Sequence, residues 1–354
     1  MLKPFSNSNF HALSGNYISQ TSIKKVPIHI EELAKIAKVS KTTVSLVING
    51  RARDYRISKS TEKRILKLAR DNHFVPNTLA RGMRLKKTQT LGLIVPYLNW
   101  HFSQIAQVLE KTARESGYQL LVAMTDDVLE TEYALIQNLL ARKVDGFIIA
   151  TMMNHKQFHS NSILNQVPVV LIDRKLKGDN IGWGVSDDRK GTFEVVTHLC
   201  DQGVTDIHYL GGIKTISTSV DRLKGFKEAL KVHGLLDDNS KIQETGYGIR
   251  DGYEMARKLF KENTKFPQAI FTSALTLLEG LLQYFKEHNP DALKKTQIAS
   301  YDDHPMLDYV PGPIQSVRQN AGEIARKSFG IIHGVLEDGK PMDQILIPPQ
   351  VIIR

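Results

Sequence analysis

Three short segments near the start of the chain carry apolar residues three or four positions apart, the spacing of one helix face. These residues are Leu33, Ile36 and Ala37, then Thr43, Val44, Val47 and Ile48, then Ile65, Leu68 and Ala69. Ser40 and Ser58 precede the second and third segments, where a hydroxyl can cap a helix. Asn49–Gly50 tolerates the left-handed backbone that ends one. The pattern predicts three helices around a small shared core, with Ile36 in it.

From Leu91 onward the pattern changes to short apolar strands that alternate with amphipathic helices. The predicted strands are LGLIVP, YQLLVAMT, DGFIIAT, PVVLID, IHYLGG, AIFTS and QIASYDD, and the predicted helices lie near 103–116, 130–142, 190–202, 221–233, 252–263 and 277–288. Such alternation builds parallel, doubly wound sheets, and about 260 residues suit two of them. The expected fold is a small all-α helix-turn-helix headpiece followed by an α/β core of two doubly wound parallel-sheet subdomains.

The positive charge of the chain is concentrated in the helical part. Residues 1–90 hold 18 Lys and Arg against 5 Asp and Glu, whereas the rest holds 29 against 32, within a formal net charge of +10. A concentrated surplus is the electrostatic footprint of a phosphate-binding surface. The outward face of the second helix adds a long cation and short hydroxyls, which suit the phosphates and base edges of a DNA major groove. Its residues are Lys41, Thr42, Ser45 and Leu46.

The segments around this unit are less regular. Residues 1–27 are polar and lack periodicity, which predicts a disordered extension. The basic loop Arg51–Ile57, with Tyr55 and Arg56, either lies along a DNA backbone or is simply solvated. The segment TLARGMRLKK is shorter than the ~12–15 residues that an isolated helix needs, so we expect it to fold only against a partner.

Several classes of protein are disfavoured by what the sequence lacks. It holds no apolar run of the roughly 18 residues that span a bilayer and no signal-peptide core, so a cytoplasmic protein without a membrane partner is expected. The single cysteine, Cys200, excludes an internal disulfide and falls on an apolar helix face. Phosphate loops, nucleophile elbows and His-Glu-x-x-His motifs are lacking, so we expect no enzyme, cofactor or metal site.

Polar residues near predicted strand ends indicate a ligand site. Asp173 and Asp302 each follow a buried strand, and Arg222 opens a predicted helix. An aspartate accepts from two sugar hydroxyls, and an arginine donates to hydroxyl, carboxylate or phosphate oxygens. Trp100 and Phe102, just beyond the first strand, could stack on a sugar face. The alternatives are helix caps, turns and surface ion pairs. Ligands of doubly wound folds bind at strand ends, which favours a small polar ligand.

With these features the sequence resembles the lactose-repressor family of bacterial transcription regulators over roughly residues 28–354. The most specific motif is IEELAKIAKVSKTTVSLVING followed by PNTLARGMR, and LGLIVP, SVDRLKGFKEAL, SYDD and SVRQN come later. The loop VINGRARDYRIS and the segment FTSALTLLEG make it most similar to the branch of the fructose and sucrose repressors and the catabolite repressor–activator. The resemblance implies a core like that of periplasmic binding proteins.

The resemblance implies how DNA would be held. Lys41, Thr42 and Leu46 match base-reading positions, and Thr43 and Ser45 match phosphate contacts. Further DNA contacts fall on Asn49, Tyr55, Arg56, Asn77, Arg81 and Arg84. The segment 77–85 matches a hinge helix for the minor groove, in which Met83 replaces the usual leucine wedge. The softer methionine implies a shallower kink or a lower affinity. A homodimer on a pseudo-palindromic double-stranded DNA operator is implied, with a tetramer as the alternative.

The resemblance also implies the ligand. Asp173, Arg222, Asp302 and Gln319 match effector-binding positions. Ser273-Ala274 replaces the Asn-Asp that most of the family carries there, which removes a carboxylate and an amide from the pocket. Because a less negative pocket suits a phosphorylated sugar, fructose 1-phosphate is the first expectation and free fructose the second.

Together these features predict a DNA-binding transcription regulator, a repressor of sugar-utilisation genes, that a small sugar or sugar phosphate controls allosterically. The expected domains are an extension (1–27), a headpiece (28–75), a hinge helix and linker (76–88) and an effector-binding, dimerising core (89–354). Within the core, residues 89–186 and 317–342 form one expected subdomain, and residues 187–316 and 343–354 form the other. The competing interpretations are a sugar-binding transport protein, which needs export, and a sugar-modifying enzyme, which needs a nucleotide site.

Overall fold

The computed structural model describes residues 28–74, 87–162, 164–178, 180–235, 241–262 and 266–354. The predicted extension and the predicted contacts at Asn77, Arg81, Met83 and Arg84 lie outside these ranges. The chain divides into one compact unit that ends at Arg81 and a second that begins at Gly82. Each unit has hydrophobic clusters of its own.

Three helices form the described part of the first unit: α1 (Ile30–Ala37), α2 (Lys41–Ile48) and α3 (Lys59–Asp71). The Ser40 hydroxyl accepts the backbone N–H of Thr43 at 3.0 Å, and the Ser58 hydroxyl accepts that of Thr61 at 3.2 Å. Both predicted N-caps are therefore confirmed, and each satisfies a donor that the first helical turn leaves unpaired. The core beneath consists of Leu33, Ala34, Ala37, Val44, Val47, Ala52, Ile65 and Ala69.

The structure corrects one predicted detail of this unit, at Ile36, and confirms another, at the end of α2. Ile36 is 47% exposed and lies outside the core, where Ala34 takes its place. Leu33, Ala34 and Ala37 define the buried face of α1, which leaves Ile36 at its margin. At the end of α2, Asn49 keeps a φ of −88°, and Gly50 with a φ of 72° supplies the left-handed residue. Glycine adopts this conformation at no steric cost.

The second unit alternates strands and helices, as predicted. In chain order its elements are β1 (Thr90–Val95), α4 (Trp100–Glu115), β2 (Gln119–Met124), α5 (Leu129–Ala141), β3 (Gly146–Ile149), α6 (His155–Ser160), β4 (Val169–Ile172), β5 (Gly182–Ser186), α7 (Asp188–Asp201), β6 (Ile207–Gly211), α8 (Ser217–Val232), β7 (Ile242–Glu244), α9 (Ile249–Glu262), β8 (Ala269–Thr272), α10 (Leu275–His288), β9 (Gln297–Tyr301), β10 (Ile314–Arg318), α11 (Ala321–Asp338), β11 (Gln344–Ile347) and β12 (Gln350–Ile352). Short 3-10 turns lie at Leu164–Gln166, Ala292–Lys294 and Pro305–Tyr309.

The strands form two six-stranded sheets. The first has the order β11-β5-β4-β3-β1-β2, and all its pairings are parallel. The second has the order β12-β10-β9-β8-β6-β7 and is parallel except for β12, which runs antiparallel to β10. The predicted fold class, a helical headpiece and two doubly wound parallel sheets, is confirmed. The chain passes between the two lobes after β5, after β10 and after β11.

Helices cover both faces of each sheet. On the first sheet, α4 and α11 pack over one face, where Leu93, Ile105 and Ile324 meet, and α5 packs over the other. On the second sheet, α9 and α10 cover one face and α7 and α8 the other. Strands buried on both faces read as continuous apolar runs, which is why the sequence pattern revealed most of them.

Several elements escaped the sequence prediction. They are β5, β7, α6 and everything from β10 onward. β5 reads GWGVS, and its two glycines have little strand propensity, so its pairing with β4 and β11 determines its conformation. Arg222 was expected to open a helix, but α8 begins at Ser217 and Arg222 lies in its second turn.

Candidate functional site

The exposed side of α2 carries the residues that the sequence selects for DNA. Lying exposed or half-buried along it are Lys41, Thr42, Thr43, Ser45 and Leu46. Two polar side chains, those of Thr43 and Asn49, also form contacts at the ends of the helix itself. The Thr43 hydroxyl lies 2.8 Å from the Ser40 hydroxyl, and the Asn49 amide donates to the Ser45 carbonyl at 2.6 Å. The face as a whole presents a cation beside short hydroxyls, a chemistry that suits a major groove.

The Lys41 ammonium contacts a carboxylate that the sequence prediction did not include. Its Nζ donates to Oε1 of Glu31 in α1, and the two side chains remain 61% and 55% exposed. This hydrogen bond is the largest cause that holds the pKa of Glu31 below its ordinary value. Helix α1 therefore adds an acidic group to the face that α2 presents.

The loop after α2 is folded rather than loosely solvated. Ala52 is buried, and its carbonyl accepts the backbone N–H of Ile57 at 2.9 Å. Arg51 holds Tyr55, since its Nη2 donates to the tyrosine hydroxyl at 3.2 Å and its guanidinium lies 5.0 Å from the ring centre. Tyr55 and Arg56 are both exposed, so the two predicted contacts lie on the surface of this unit.

In the second unit, two predicted ligand residues occupy equivalent places at the carboxyl ends of strands. Asp173 directly follows β4 and Asp302 directly follows β9, and both have a left-handed backbone, with φ of 60° and 69°. Residues other than glycine are uncommon in this region and cluster at functional sites when they adopt it. Oδ1 of Asp302 accepts from the Gln319 amide at 2.7 Å, so two of the predicted residues are in direct contact.

The Asp173 carboxylate lies between Arg174, the next residue after the same predicted strand, and a histidine that the sequence prediction did not include. Its Oδ1 is 4.0 Å from Nε2 of His101 in α4, and its Oδ2 is 3.5 Å from Nε of Arg174. Arg174 is buried and donates from Nη2 to Oδ1 of Asp127 at 2.6 Å. Burial, helped by the charge of Asp127, raises the pKa of the Tyr97 hydroxyl above its ordinary value.

Arg222 is buried at the centre of a second polar group. Its Nε donates to Oδ1 of Asp188 at 3.0 Å, and its Nη1 donates to the carbonyl of Ser273 at 2.7 Å. The guanidinium lies 3.8 Å from the centre of the Tyr301 ring. Burial raises the pKa of Asp188 to about 7, against the opposing effect of Arg222. The geometry thus joins Arg222 and Ser273, two predicted residues, through the main chain of the serine.

The aromatic residues beyond β1 have different roles. Trp100 is 40% exposed, and its ring centre is 4.5 Å from that of His304 in the other lobe. Phe102 is buried in the core, with its ring centre 6.1 Å from that of Tyr97. The predicted stacking role of Phe102 is therefore corrected to a core role, because two positions along a helix rotate a side chain by about 200°. His101, between the two, is the α4 residue beside Asp173.

A further contact joins the two lobes close to Arg222. The backbone N–H of Lys175 donates to the Ser217 hydroxyl at 2.8 Å, and its Nζ pairs with Oδ2 of Asp221 at 2.7 Å. Both partners lie in the first two turns of α8. The lobes therefore meet around the polar residues.

These contacts gather carboxylate acceptors, arginine, histidine and amide donors and one aromatic edge between the two sheets, and we call this region the polar crevice. Such a combination suits a small ligand with several hydroxyl or anionic oxygens. Over the ranges that the structure describes, no cluster of three or more metal-ligating side chains occurs. The helices in these ranges are too short or too polar to cross a lipid bilayer.

Two family models match the chain. Residues 29–77 match the model for bacterial regulatory proteins of the lacI family. Residues 88–303 match the model for periplasmic binding proteins and the sugar binding domain of the LacI family. The first match covers the helical unit and the second covers most of the crevice.

The chain is also similar to individual transcription regulators. The sucrose operon repressor of Klebsiella pneumoniae is 33% identical over 334 residues, which is 94% of this chain and 99% of that protein. The fructose operon regulatory protein of Vibrio cholerae is 31% identical and covers 92% of this chain and 99% of its own length. A crystal structure of the Cra transcriptional dual regulator from Pseudomonas putida in complex with fructose 1-phosphate superimposes with a TM-score of 0.69 at 26% identity, over 75% of this chain and 98% of that one.

Proposed function

The chain belongs to the lacI family of bacterial regulatory proteins, and on that premise we propose that it represses sugar-utilisation genes. Relatives that span nearly its whole length are transcription regulators and not enzymes, which rules against the enzyme interpretation. A transport protein on the same core would have no use for the DNA-binding unit. In the proposed mechanism the headpiece binds operator DNA, the core binds a sugar, and the second event controls the first.

The observation that carries this proposal is the exposed face of α2 on a basic unit. Residues 28–74 hold 11 Lys and Arg against 5 Asp and Glu. Lys41 and Thr42 lie exposed in the first turn of α2, and the first residues of a recognition helix are those that reach base edges. We assign base reading to Lys41, Thr42 and Leu46. Phosphate contacts are assigned to Thr43, Ser45, Asn49, Tyr55 and Arg56.

The proposed ligand of the core is a sugar or a sugar phosphate. In this assignment Asp173, Asp302 and Gln319 bind hydroxyls, Arg222 donates to a ligand oxygen, and Trp100 stacks on a sugar face. Ser273 lines the same crevice. The support comes from three contacts, which join Gln319 to Asp302, Arg222 to the Ser273 carbonyl, and Trp100 to His304 of the other lobe. Asp173 and Asp302 directly follow strands, where doubly wound folds bind their ligands.

Fructose 1-phosphate is the first candidate ligand and free fructose the second. The first is supported by the Pseudomonas putida structure, which holds fructose 1-phosphate, and by the replacement of a carboxylate with Ala274. The second is supported by the charges of the crevice. Arg174 and Arg222 are already paired with Asp127 and Asp188, so a phosphate must displace a carboxylate to reach either guanidinium.

We propose a homodimer on a pseudo-palindromic operator, with a tetramer as the alternative. β2 lies at the edge of the first sheet, and Val122 and Met124 on it are 44% and 49% exposed. Exposed apolar side chains on an edge strand favour association. The segment 76–88 would serve as the hinge, with Asn77, Arg81, Met83 and Arg84 on DNA, and residues 89–354 as the core.

Two measurements test the proposal. Selection of duplexes from a random library by the purified chain should yield a two-fold symmetric motif, and binding to it should weaken steeply with salt. Fructose 1-phosphate and fructose should raise the melting temperature by mass action and release the selected duplex in a gel shift. A library that yields no motif would overturn the DNA assignment. A melting temperature and a gel shift that neither compound changes would overturn the ligand assignment.

A further inference from the structure

We propose that Glu31 is a specificity-determining residue, which positions the Lys41 ammonium so that this lysine reads a base edge instead of binding phosphate. The inference rests on the proposed DNA-binding function and deepens it. It assigns a DNA-related role to α1, whose exposed residues were not among the expected contacts.

The geometry places an acceptor and a donor side by side on the proposed reading face. Lys41 is the first residue of α2, and its Nζ donates to Oε1 of Glu31 in the first turn of α1. Both side chains are more than half exposed. The pair therefore lies at the surface that would meet the major groove, and any base or phosphate that approaches Lys41 also meets the Glu31 carboxylate.

The pair adds little to the stability of the fold. The N-terminus of α1 is closed by a different residue, since Oε2 of Glu32 accepts the backbone N–H of His29 at 3.3 Å. Exposed ion pairs add little stability, and the helices are held together by their apolar core. Within residues 28–74, the other ion pair joins Arg51 and Asp54 in the loop. Glu31 is thus the acidic residue of this range that forms an ion pair with α2.

A carboxylate at this place acts against nonspecific binding. A lysine is a flexible point charge that any phosphate can attract, and nonspecific affinity is dominated by such contacts. The Glu31 carboxylate repels phosphates and keeps the ammonium occupied. An ammonium has three donors, so Lys41 can keep its contact with Glu31 and still donate to guanine N7 and O6 in the major groove. These acceptors are neutral, so the carboxylate repels them less than it repels a phosphate. Repulsion of the wrong partner is a general route to specificity.

The test uses the full chain, a duplex selected by the wild type and a duplex of scrambled sequence, with affinities measured by fluorescence anisotropy over a range of salt. Glu31→Gln removes the carboxylate with little change of shape. Glu62→Gln is the matched control, because it removes the same charge from the first turn of α3 and has no ion pair within residues 28–74. Lys41→Ala and the double variant of Glu31→Gln with Lys41→Ala complete a double-mutant cycle.

Glu31→Gln should bind the scrambled duplex more tightly and lower the ratio of selected to scrambled affinity by at least about fivefold. Its salt dependence on the scrambled duplex should steepen by about one phosphate contact. A new selection should lose preference at the same base pair as Lys41→Ala, and in the Lys41→Ala background the Glu31 change should have no effect on the ratio. The inference is overturned if Glu31→Gln, like Glu62→Gln, leaves the ratio of selected to scrambled affinity unchanged. If the wild type selects no motif, the proposed function itself fails.

Discussion

Lys87 and Glu337 are 250 positions apart in the sequence and form an ion pair, with 2.9 Å between Nζ and Oε2. The same ammonium donates to the Leu336 carbonyl at 2.8 Å, and the Tyr118 hydroxyl donates to Oε1 of Glu337 at 2.5 Å. These contacts lie at the C-terminal end of α11. Lys87 lies near the end of the proposed hinge segment 76–88 and is the first residue of it that the structure describes, so this cluster holds the end of that segment against the core.

The opposite end of α11 lies beside the crevice. The helix begins at Ala321, two positions after Gln319, whose amide contacts Asp302. Its 18 residues span about 27 Å. One helix therefore connects a proposed ligand residue with the residues that hold Lys87, and a shift of α11 would change both sites together.

Glu337→Gln should keep operator binding without sugar but weaken the effect of sugar on it. The neutral amide loses the ion pair with Lys87, so a movement of α11 displaces Lys87 and the hinge segment less. Because allosteric coupling is typically about 1–3 kcal/mol, we expect the ratio of operator affinities with and without sugar to fall at least about threefold. Asp338→Asn is the control, since Asp338 pairs with Lys340 on the exposed surface. Equal coupling in wild type and Glu337→Gln would exclude this route.

The extent to which the sequence predicted the fold depended on where each element is buried. β1 and β8 consist of apolar residues and glycine apart from one terminal threonine each, as expected of strands that helices cover on both faces. α11 contains three glycines in the segment AGEIARKSFGIIHGVLED, which lower its helix propensity. Its conformation depends on packing, since Ile324, Phe329 and Ile332 are buried in the core of the first lobe. Such long-range burial is not visible in a local pattern.

The sequence predicted those residues of the crevice that directly follow a recognisable strand. Asp173 and Asp302 follow apolar runs and could be recognised for that reason. Asp188 reads as an ordinary acidic residue in the first turn of α7, and its partner Arg222 lies 34 positions further on. His101 precedes a core phenylalanine in α4 and carries no local signal. These residues enter the site only through tertiary packing, which brings Asp188 of α7 to Arg222 of α8 and His101 of α4 to Asp173.

Arg222→Ala should keep operator binding and abolish the response to sugar. The change removes the donor to Ser273 and leaves the Asp188 carboxylate buried without its partner. Removal of one member of a buried ion pair costs about 3–5 kcal/mol of unfolding free energy, which urea titration can measure. Arg222→Lys keeps the positive charge but lacks the planar guanidinium. Relative to Arg222→Ala, it should therefore recover more of the unfolding free energy than of the response to sugar. Release of operator by sugar in both variants, as in wild type, would contradict the assignment.

Asp188→Asn should change how stability depends on pH. The folded pKa of Asp188 is raised to about 7 from an ordinary value of 3.8. A raised pKa means that the folded state holds a proton that the unfolded state has lost, so this group destabilises the fold as pH rises from about 4 to about 7.

The asparagine variant lacks this contribution, while the cost of its unpaired Arg222 is the same at every pH. Relative to wild type, the variant should therefore gain about 2–3 kcal/mol between pH 5 and pH 8. Urea unfolding at both values provides the measurement. The groups that also face Asp188 are Arg222, Asp173 and Tyr301, and they remain in both proteins. A difference between the two proteins that is independent of pH would contradict the raised pKa.

Trp100→Ala and Phe102→Leu should separate ligand binding from stability. Trp100 is 40% exposed at the edge of the crevice, so its loss should weaken sugar binding about 2- to 10-fold with little change of unfolding free energy. Phe102 lies in the core, so the leucine variant should lose about 1 kcal/mol of stability and keep its sugar affinity. Isothermal titration with the sugar and urea unfolding give the two quantities. The reverse pattern would restore Phe102 as a ligand contact.

Met124→Lys should convert the protein to monomers and weaken operator binding. Met124 is 49% exposed and shares a face of the edge strand β2 with Val122, so a charge there opposes apolar association at this edge. A monomer engages one half of a symmetric operator, and loss of the linked second half should reduce affinity at least about a hundredfold. Val232→Lys is the matched control, because Val232 is 72% exposed at the end of α8. Sedimentation velocity reports the mass, and anisotropy with the selected duplex reports the affinity. A dimeric Met124→Lys variant would place the dimer interface elsewhere on the core.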